Sequence, residues 1–298
     1  MTARCLLLLG ASGRLGATVR RTAPPNWRLD VPTRIELDLQ RLASGDTGPL
    51  EARLAHAPPE VVLNTAAMAG VDACEVQREE ATAVNALAPA VLAKVCARAK
   101  VPLVHVSTDY VFGGIGSQRT GPYAENAVQC PAQHYGATKA EGERGVLDAG
   151  GRAHVVRLSW IYGSAARAFL DHVLGQVDGS GQAVAVFGAQ RSRPTPATSV
   201  SKWLLALCDL LARGQAAPSI LHPVSGPSAS RNQWARAILD DQGHDQVPIT
   251  EAPMQVRGFS KTAVRPVDSR LDGTATMRWA EQVGMPALLD WRDSPSSN

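Results

Sequence analysis

Short, almost continuously apolar runs alternate with amphipathic stretches through the first half of the chain. Arg4 to Leu9 is such a run, the pattern of a strand buried on both faces of a parallel sheet. A helix-like segment through Arg21 follows, then a strand at Trp27 to Val31 and a short one at Ile35 to Leu39. Helical patterning from Leu50 to His56 is stopped by Pro58-Pro59, and Val61 to Leu63 is the next buried strand. An Ala-rich helix over Pro89 to Ala99 precedes a strand at Val101 to Val106. A helix at Thr138 to Leu147 precedes one at His154 to Leu158. This succession predicts an α/β fold built on a doubly wound parallel sheet.

The second half is less regular. Its readable pieces are a helix near Phe169 to Gln176, a strand at Ala183 to Phe187 and an amphipathic helix from Ser201 to Leu211. A last sheet strand at Ile220-Leu221 and a helix at Ser230 to Leu239 complete them. A lobe made of such pieces, closing over a sheet, makes a natural small-molecule pocket.

Composition changes this picture only by exclusion. The net charge is +3 and the basic residues are dispersed, so neither a nucleic-acid nor a membrane partner is expected. Five widely spaced cysteines with no Cys-x-x-Cys pair fit a reducing cytoplasm better than a disulfide framework or a zinc site. The apolar run Cys5 to Leu9 is too short for a bilayer span or a signal peptide.

Chemistry enters where the first strand ends. Gly10-Ala11-Ser12-Gly13-Arg14-Leu15-Gly16 stands between strand and helix, where glycines let backbone amides approach a pyrophosphate that the helix N-terminus attracts. Asp30 is placed to select an unphosphorylated ribose, whereas Arg34 and Arg14 flank the same pocket and favour a 2′-phosphate, hence NADPH before NADH. Asp38, beside Leu39, is a candidate acceptor for the adenine amino group, and the small Ala66 and Ala67 follow the third buried strand where a ribose or phosphate approaches. Ser107-Thr108 ends the Val101 strand, either as a cap or turn or as a hydroxyl beside the reactive ring. Tyr135 and Lys139 are four apart, so a helix stacks phenol and ammonium on one face, and the cation is expected to lower the phenol's pKa.

These motifs, with Leu37-Asp38-Leu39, Asn64-Thr65-Ala66-Ala67, Val71-Asp72, Val84-Asn85, Val106-Ser107-Thr108-Asp109-Tyr110-Val111-Phe112, Tyr135-Gly136-Ala137-Thr138-Lys139, Gly142-Glu143 and Arg157 to Gly163, occur in the order of extended short-chain dehydrogenase/reductases. They most resemble the dTDP-4-dehydrorhamnose reductase branch, over roughly residues 4 to 270. The resemblance implies a Rossmann-type sheet with a smaller C-terminal substrate lobe. In residue terms, 1–165 plus about 188–225 would bind the dinucleotide and about 166–187 plus 226–298 the substrate. It implies NADPH-dependent reduction of a nucleotide-linked 4-keto-6-deoxy sugar. Tyr135 would be the catalytic acid, Lys139 would orient the nicotinamide ribose and Thr108 would bond the substrate carbonyl. Gly10, Ser12, Gly13, Arg14, Leu15 and Gly16 would cradle the pyrophosphate, with Arg34, Asp38, Leu39, Ala66 and Ala67 around the rest of the cofactor. Asp109, Tyr110 and Trp160 would hold the sugar, Trp160 as an apolar platform. Arg193, Lys261 and Arg265 are candidates for a pyrophosphate clamp.

Departures from the family lie at Thr33, at Arg191-Ser192-Arg193 and at Val267-Asp268-Ser269, the last two in the substrate lobe. The acidic C-terminal residues that bind a metal at some family dimers are not recognisable, so no metal is expected, and a homodimer is the assembly to look for. Two other readings stand beside this one. One is a different short-chain reductase or epimerase, acting on a secondary-metabolite ketone or imine; the other is a non-catalytic NADP-binding subunit.

Overall fold

The computed structural model describes residues 4–114, 120–163, 168–177, 182–252 and 263–296. Six parallel strands form the central sheet: β1 (Arg4–Leu9), β2 (Trp27–Asp30), β3 (Val61–Asn64), β4 (Leu103–Thr108), β5 (Ala153–Leu158) and β6 (Ile220–Leu221). Their order is β6-β5-β4-β3-β1-β2. The chain leaves β1 toward one edge and returns to pair β3 on its other side. The carboxyl ends of β1 and β3 therefore open a crevice at the point where the winding reverses, the usual ligand position in such sheets.

Two cores cover the sheet. Leu6, Leu8, Val61, Leu63, Val104 and Val156 pack on one face against α1 (Arg14–Thr22) and a long helix (Ala197–Ala212) whose Trp203, Leu204 and Leu207 are fully buried. Leu7, Leu9, Val62, Leu103 and Val155 pack on the other against Leu92, Ala93, Val95 and Cys96 of the Ala88–Ala99 helix. Among the described residues, Arg78–Ala99 is the one helical stretch apolar and long enough to match a membrane span by composition, and half of it is buried against the rest of the molecule. It is broken by a π-helical turn at Ala83–Leu87.

A third core gathers Tyr162, Leu170, Val184, Trp234, Ile238 and Trp291. The expected strand near Ala183 to Phe187 forms as Val184–Val186, but it pairs with Ile249–Glu251 outside the main sheet. The C-terminal helix Thr274–Gln282 returns to the first core through Ala280, beside Trp279.

The expected strand at Ile35 to Leu39 does not form. Glu36 accepts from the Thr33 amide at 2.7 Å, closing a turn, and Asp38 Oδ1 accepts from the Gln40 amide at 2.7 Å, capping α2 (Leu39–Ala43). Ile35 is 93% exposed, so no sheet face claims the alternating pattern. A capped helix start and a half-buried strand look alike over five residues.

Candidate active site

The cofactor half of the site rests on the turn after β1. Gly10 has φ +79°, and a Cβ there would stand 2.6 Å from the Ala66 amide nitrogen. A Cβ at Gly16 would overlap the Gly10 carbonyl oxygen. Both positions therefore need glycine, and α1 is drawn tight against the strand end. No side chain caps α1 and no acid stands in its first turn, so its leading N–H groups are left to an anion.

A cavity of about 540 Å³ opens there. Gly10, Ser12, Gly13, Arg34, Asp38, Leu39, Ala66 and Ala67, all candidates from the sequence, line it. Arg14 instead faces solvent, Leu15 is buried in the first core and Gly16 packs beneath the turn; none of the three is on the wall. Arg20 is on the wall although sequence reasoning passed over it. Asp30 is not, because its carboxylate is ion-paired with Arg53. Arg34 remains at the mouth, 70% exposed, 3.3 Å from Asp38 and 3.6 Å from Glu80. An uncapped helix start, a small-residue wall and an arginine in place of a free acid fit a phosphorylated dinucleotide. Asp38 itself is occupied by the helix cap and Arg34, which hold its carboxyl below the ordinary range against the effect of burial.

The catalytic half is built by α3 (His134–Asp148), which begins at the Tyr-x-x-x-Lys motif. Glu75 accepts from the His134 amide at 2.7 Å and so caps this helix. A Cβ at Gly136 would overlap the Tyr110 carbonyl, so glycine lets the helix start press onto the turn Asp109–Val111 that follows β4. Asn85, in the π turn, donates to Thr138 Oγ1 at 3.3 Å and to the Met68 carbonyl at 3.0 Å, tying the cofactor wall to the catalytic helix.

Thr108 and Tyr135 come together. The Thr108 side chain is the polar neighbour that favours ionisation of the Tyr135 hydroxyl, and Tyr110 meets the Tyr135 ring edge-on with centroids 6.2 Å apart. Thr108 Oγ1 also accepts from the Tyr110 amide at 3.2 Å. Lys139 lies one turn further on, 1% exposed, donating from Nζ to the Val106 carbonyl at 2.7 Å with His105 Nε2 3.0 Å away. The sequence led us to expect a phenol lowered by this lysine. The opposite holds: burial pushes the half-buried Tyr135 above its ordinary range, only partly offset by the Thr108 side chain, because the Lys139 head is turned onto β4. Burial also brings the Lys139 ammonium down to about 8 against the pull of Glu143.

On the substrate side, Asp109 is not free to hold a sugar. It is buried, with Ser192 at 2.7 Å and Ser269 at 2.5 Å both donating to Oδ2 and Thr108 at 3.2 Å donating to Oδ1. The two departures from the family pattern thus supply both serines that hold this carboxyl. Burial pushes it up to about 6 despite these bonds. Trp160 is not an apolar platform: it stacks with Trp234 at 5.6 Å and carries the Arg231 guanidinium 3.8 Å over its ring. Arg265 is bound by Asp72 at 2.5 Å, and Arg193 donates to the Leu271 and Gly226 carbonyls, so neither presents a free charge as a clamp. Lys261 lies outside the described residues.

The model of the family described as RmlD substrate binding domain matches residues 4–294. The chain belongs to that family. A dTDP-4-dehydrorhamnose reductase of Mycobacterium tuberculosis is 33% identical over 294 residues, covering 97% of this chain and 90% of the relative. A Streptomyces antibioticus protein named as a probable dTDP-4,6-dihydroxy-2-methyloxan-3-one 4-ketoreductase is 33% identical over 290 residues, covering 97% and 92%. The structure of dTDP-4-dehydrorhamnose reductase from Bacillus anthracis, solved in complex with NADP, matches with a TM-score of 0.80 at 21% identity over 99% of this chain and 98% of that one. At that identity the likeness shows the shared Rossmann-type fold. Besides Arg20, two members of this site escaped sequence reasoning. His105 sits beside the motif, where a lone histidine reads as packing, and Arg231 opens a helix whose capping box, Ser230 with Gln233, was the signal available.

Proposed function

We propose that this member of the RmlD family is an NADPH-dependent reductase of the 4-keto group of a dTDP-linked 6-deoxy sugar, as its relatives named dTDP-4-dehydrorhamnose reductase are. The observation that carries the reading is the placement of Thr108 at the end of β4 beside Tyr135 at the start of α3, with Lys139 one turn behind. The structural relative bound to NADP and the arginine at the mouth of the cofactor cavity support the choice of cofactor.

Bound NADPH supplies the hydride. Tyr135 donates its proton to the oxygen that becomes an alkoxide, a contribution of about two to four decades in rate. Its raised pKa keeps the phenol protonated at neutral pH, as an acid requires. Thr108 donates to the same oxygen, a preorganised donor at developing charge. Lys139, when charged, stabilises the phenolate that Tyr135 leaves, and we assign it the nicotinamide ribose as well. Gly10, Ser12, Gly13 and the start of α1 hold the pyrophosphate, and Arg34 the 2′-phosphate. Arg231, from the smaller lobe made of about 166–187 and 226–298, faces the sugar nucleotide together with Tyr110 and Trp160 of the cofactor-binding part.

NADPH oxidation against dTDP-, UDP- and GDP-linked 4-keto-6-deoxy sugars tests this. Turnover should be fastest with the dTDP sugar. No oxidation with any of them, or purification with tightly retained NAD⁺ and 4-epimerase activity, contradicts it.

A further inference from the structure

Four charged side chains stand on the wall of the cofactor cavity among the described residues: Arg20, Arg34, Asp38 and Glu80. Arg34 has Asp38 3.3 Å away and Glu80 3.6 Å away, so one positive and two negative charges leave this cluster net negative. Both acids are held where they are. Asp38 caps α2, and Glu80 accepts from Gln40 Nε2 at 2.7 Å. A phosphate monoester carries about two negative charges near pH 7.5. Arg34 can offer it directed hydrogen bonds, but the cluster as a whole repels it. A 2′-phosphate at this mouth therefore needs a further cation.

Arg20 is exposed on the last turn of α1, and among the described residues no carboxylate pairs with it. A cation near a helix C-terminus complements the helix dipole, and that account covers Arg21 equally. The cavity separates the two, because Arg20 lines it and Arg21 does not. A long side chain on a helix leans toward the N-terminus, which carries Arg20 back along α1 toward the glycine turn. The same wall continues through Val31, Pro32 and Thr33, the segment that leaves β2, where an arginine accommodates a 2′-phosphate. The acids of that segment are turned elsewhere: Asp30 pairs with Arg53, and Glu36 accepts from the Thr33 amide at 2.7 Å. We infer that Arg20 is a second cofactor-selecting residue, which supplies the uncompensated charge that holds the 2′-phosphate of NADPH while Arg34 directs hydrogen bonds to it. The inference rests on the choice of NADPH in the proposed function.

Titration calorimetry of the full-length protein with adenosine 2′,5′-bisphosphate and with 5′-AMP isolates the 2′-phosphate, in which alone the two ligands differ, and needs no sugar. The parent should bind the bisphosphate about tenfold tighter or more. Arg20→Ala should weaken the bisphosphate about tenfold and leave 5′-AMP within about twofold. Arg20→Lys should restore most of the preference, since a point charge is what the position supplies, and Arg20→Glu should turn it toward 5′-AMP. Added salt should narrow the parent's preference, because the site is open to solvent. An Arg20→Ala variant that keeps the parental preference, or that weakens both nucleotides alike, overturns the role of Arg20 and leaves NADPH as the cofactor. A parent with equal affinity for the two nucleotides overturns the choice of NADPH, and the role of Arg20 falls with it.

Discussion

The Arg231 guanidinium lies 3.8 Å over the Trp160 ring and 4.4 Å from the centre of Phe169. A cation on an aromatic face, rather than the bare face, is what Trp160 presents. Cation–π contacts are worth about 0.5 to 2 kcal/mol.

Arg231→Ala should accordingly raise KM for the sugar nucleotide about 3- to 30-fold while kcat changes less. Steady-state kinetics at saturating NADPH check this. A fall in kcat with KM unchanged would place Arg231 in the chemical step instead.

Turnover should have an alkaline limb near pH 8 set by Lys139. The ammonium is the form that stabilises the phenolate, and it is lost as pH rises through the lowered value of about 8; Tyr135, raised by burial, does not titrate there. The kcat/KM profile should therefore fall above that point, and Lys139→Met should be slow with the limb gone. An unchanged limb in that variant assigns it to another group.

Asp109 couples stability to pH in the opposite sense from an ordinary salt-bridged carboxylate. Its folded value is raised to about 6 from 3.8, so the stability present below the unfolded value is lost as pH rises through about 6. The shift corresponds to a cost on the order of 3 kcal/mol at neutral pH. Asp109→Asn, which carries no charge to bury, should melt a few degrees above the parent near pH 7.5 and converge with it near pH 4. Thermal unfolding at the two pH values reads the difference, and a variant that melts lower at both shows that the carboxylate is stabilising.

Arg34 is proposed to choose the cofactor. Arg34→Ala should raise KM for NADPH about tenfold or more and leave KM for NADH nearly unchanged, since only the former carries the 2′-phosphate. Equal losses with both cofactors would make Arg34 a structural partner of Asp38 and Glu80, its neighbours at 3.3 and 3.6 Å.

What was legible in the sequence follows from how far each feature reaches. β1, β3, β4 and β5 are buried on both faces, so their apolar runs are uninterrupted and local. The glycine turn was legible for the same reason, as its close approaches to Ala66 and Gly10 leave no room for a side chain. Ile35 to Leu39 misled because five residues of alternation do not separate a strand from a capped helix start, and the capping Asp38 decided it. The spacing of Tyr135 and Lys139 put both on one helix, but not the direction of the lysine, which is fixed by a carbonyl 33 positions earlier. Asp109 was read as a sugar ligand because its cage comes from Ser192 and Ser269, 83 and 160 positions away. Such contacts leave no local pattern.

The proton donor is tested most directly by single-turnover NADPH oxidation with a dTDP-linked 4-keto-6-deoxy sugar, comparing the parent protein with Tyr135→Phe. The variant should bind NADPH within about twofold of the parent and lose about two to four decades in the rate of hydride transfer. A variant that binds NADPH and oxidises it at the parental rate would contradict the assignment of Tyr135.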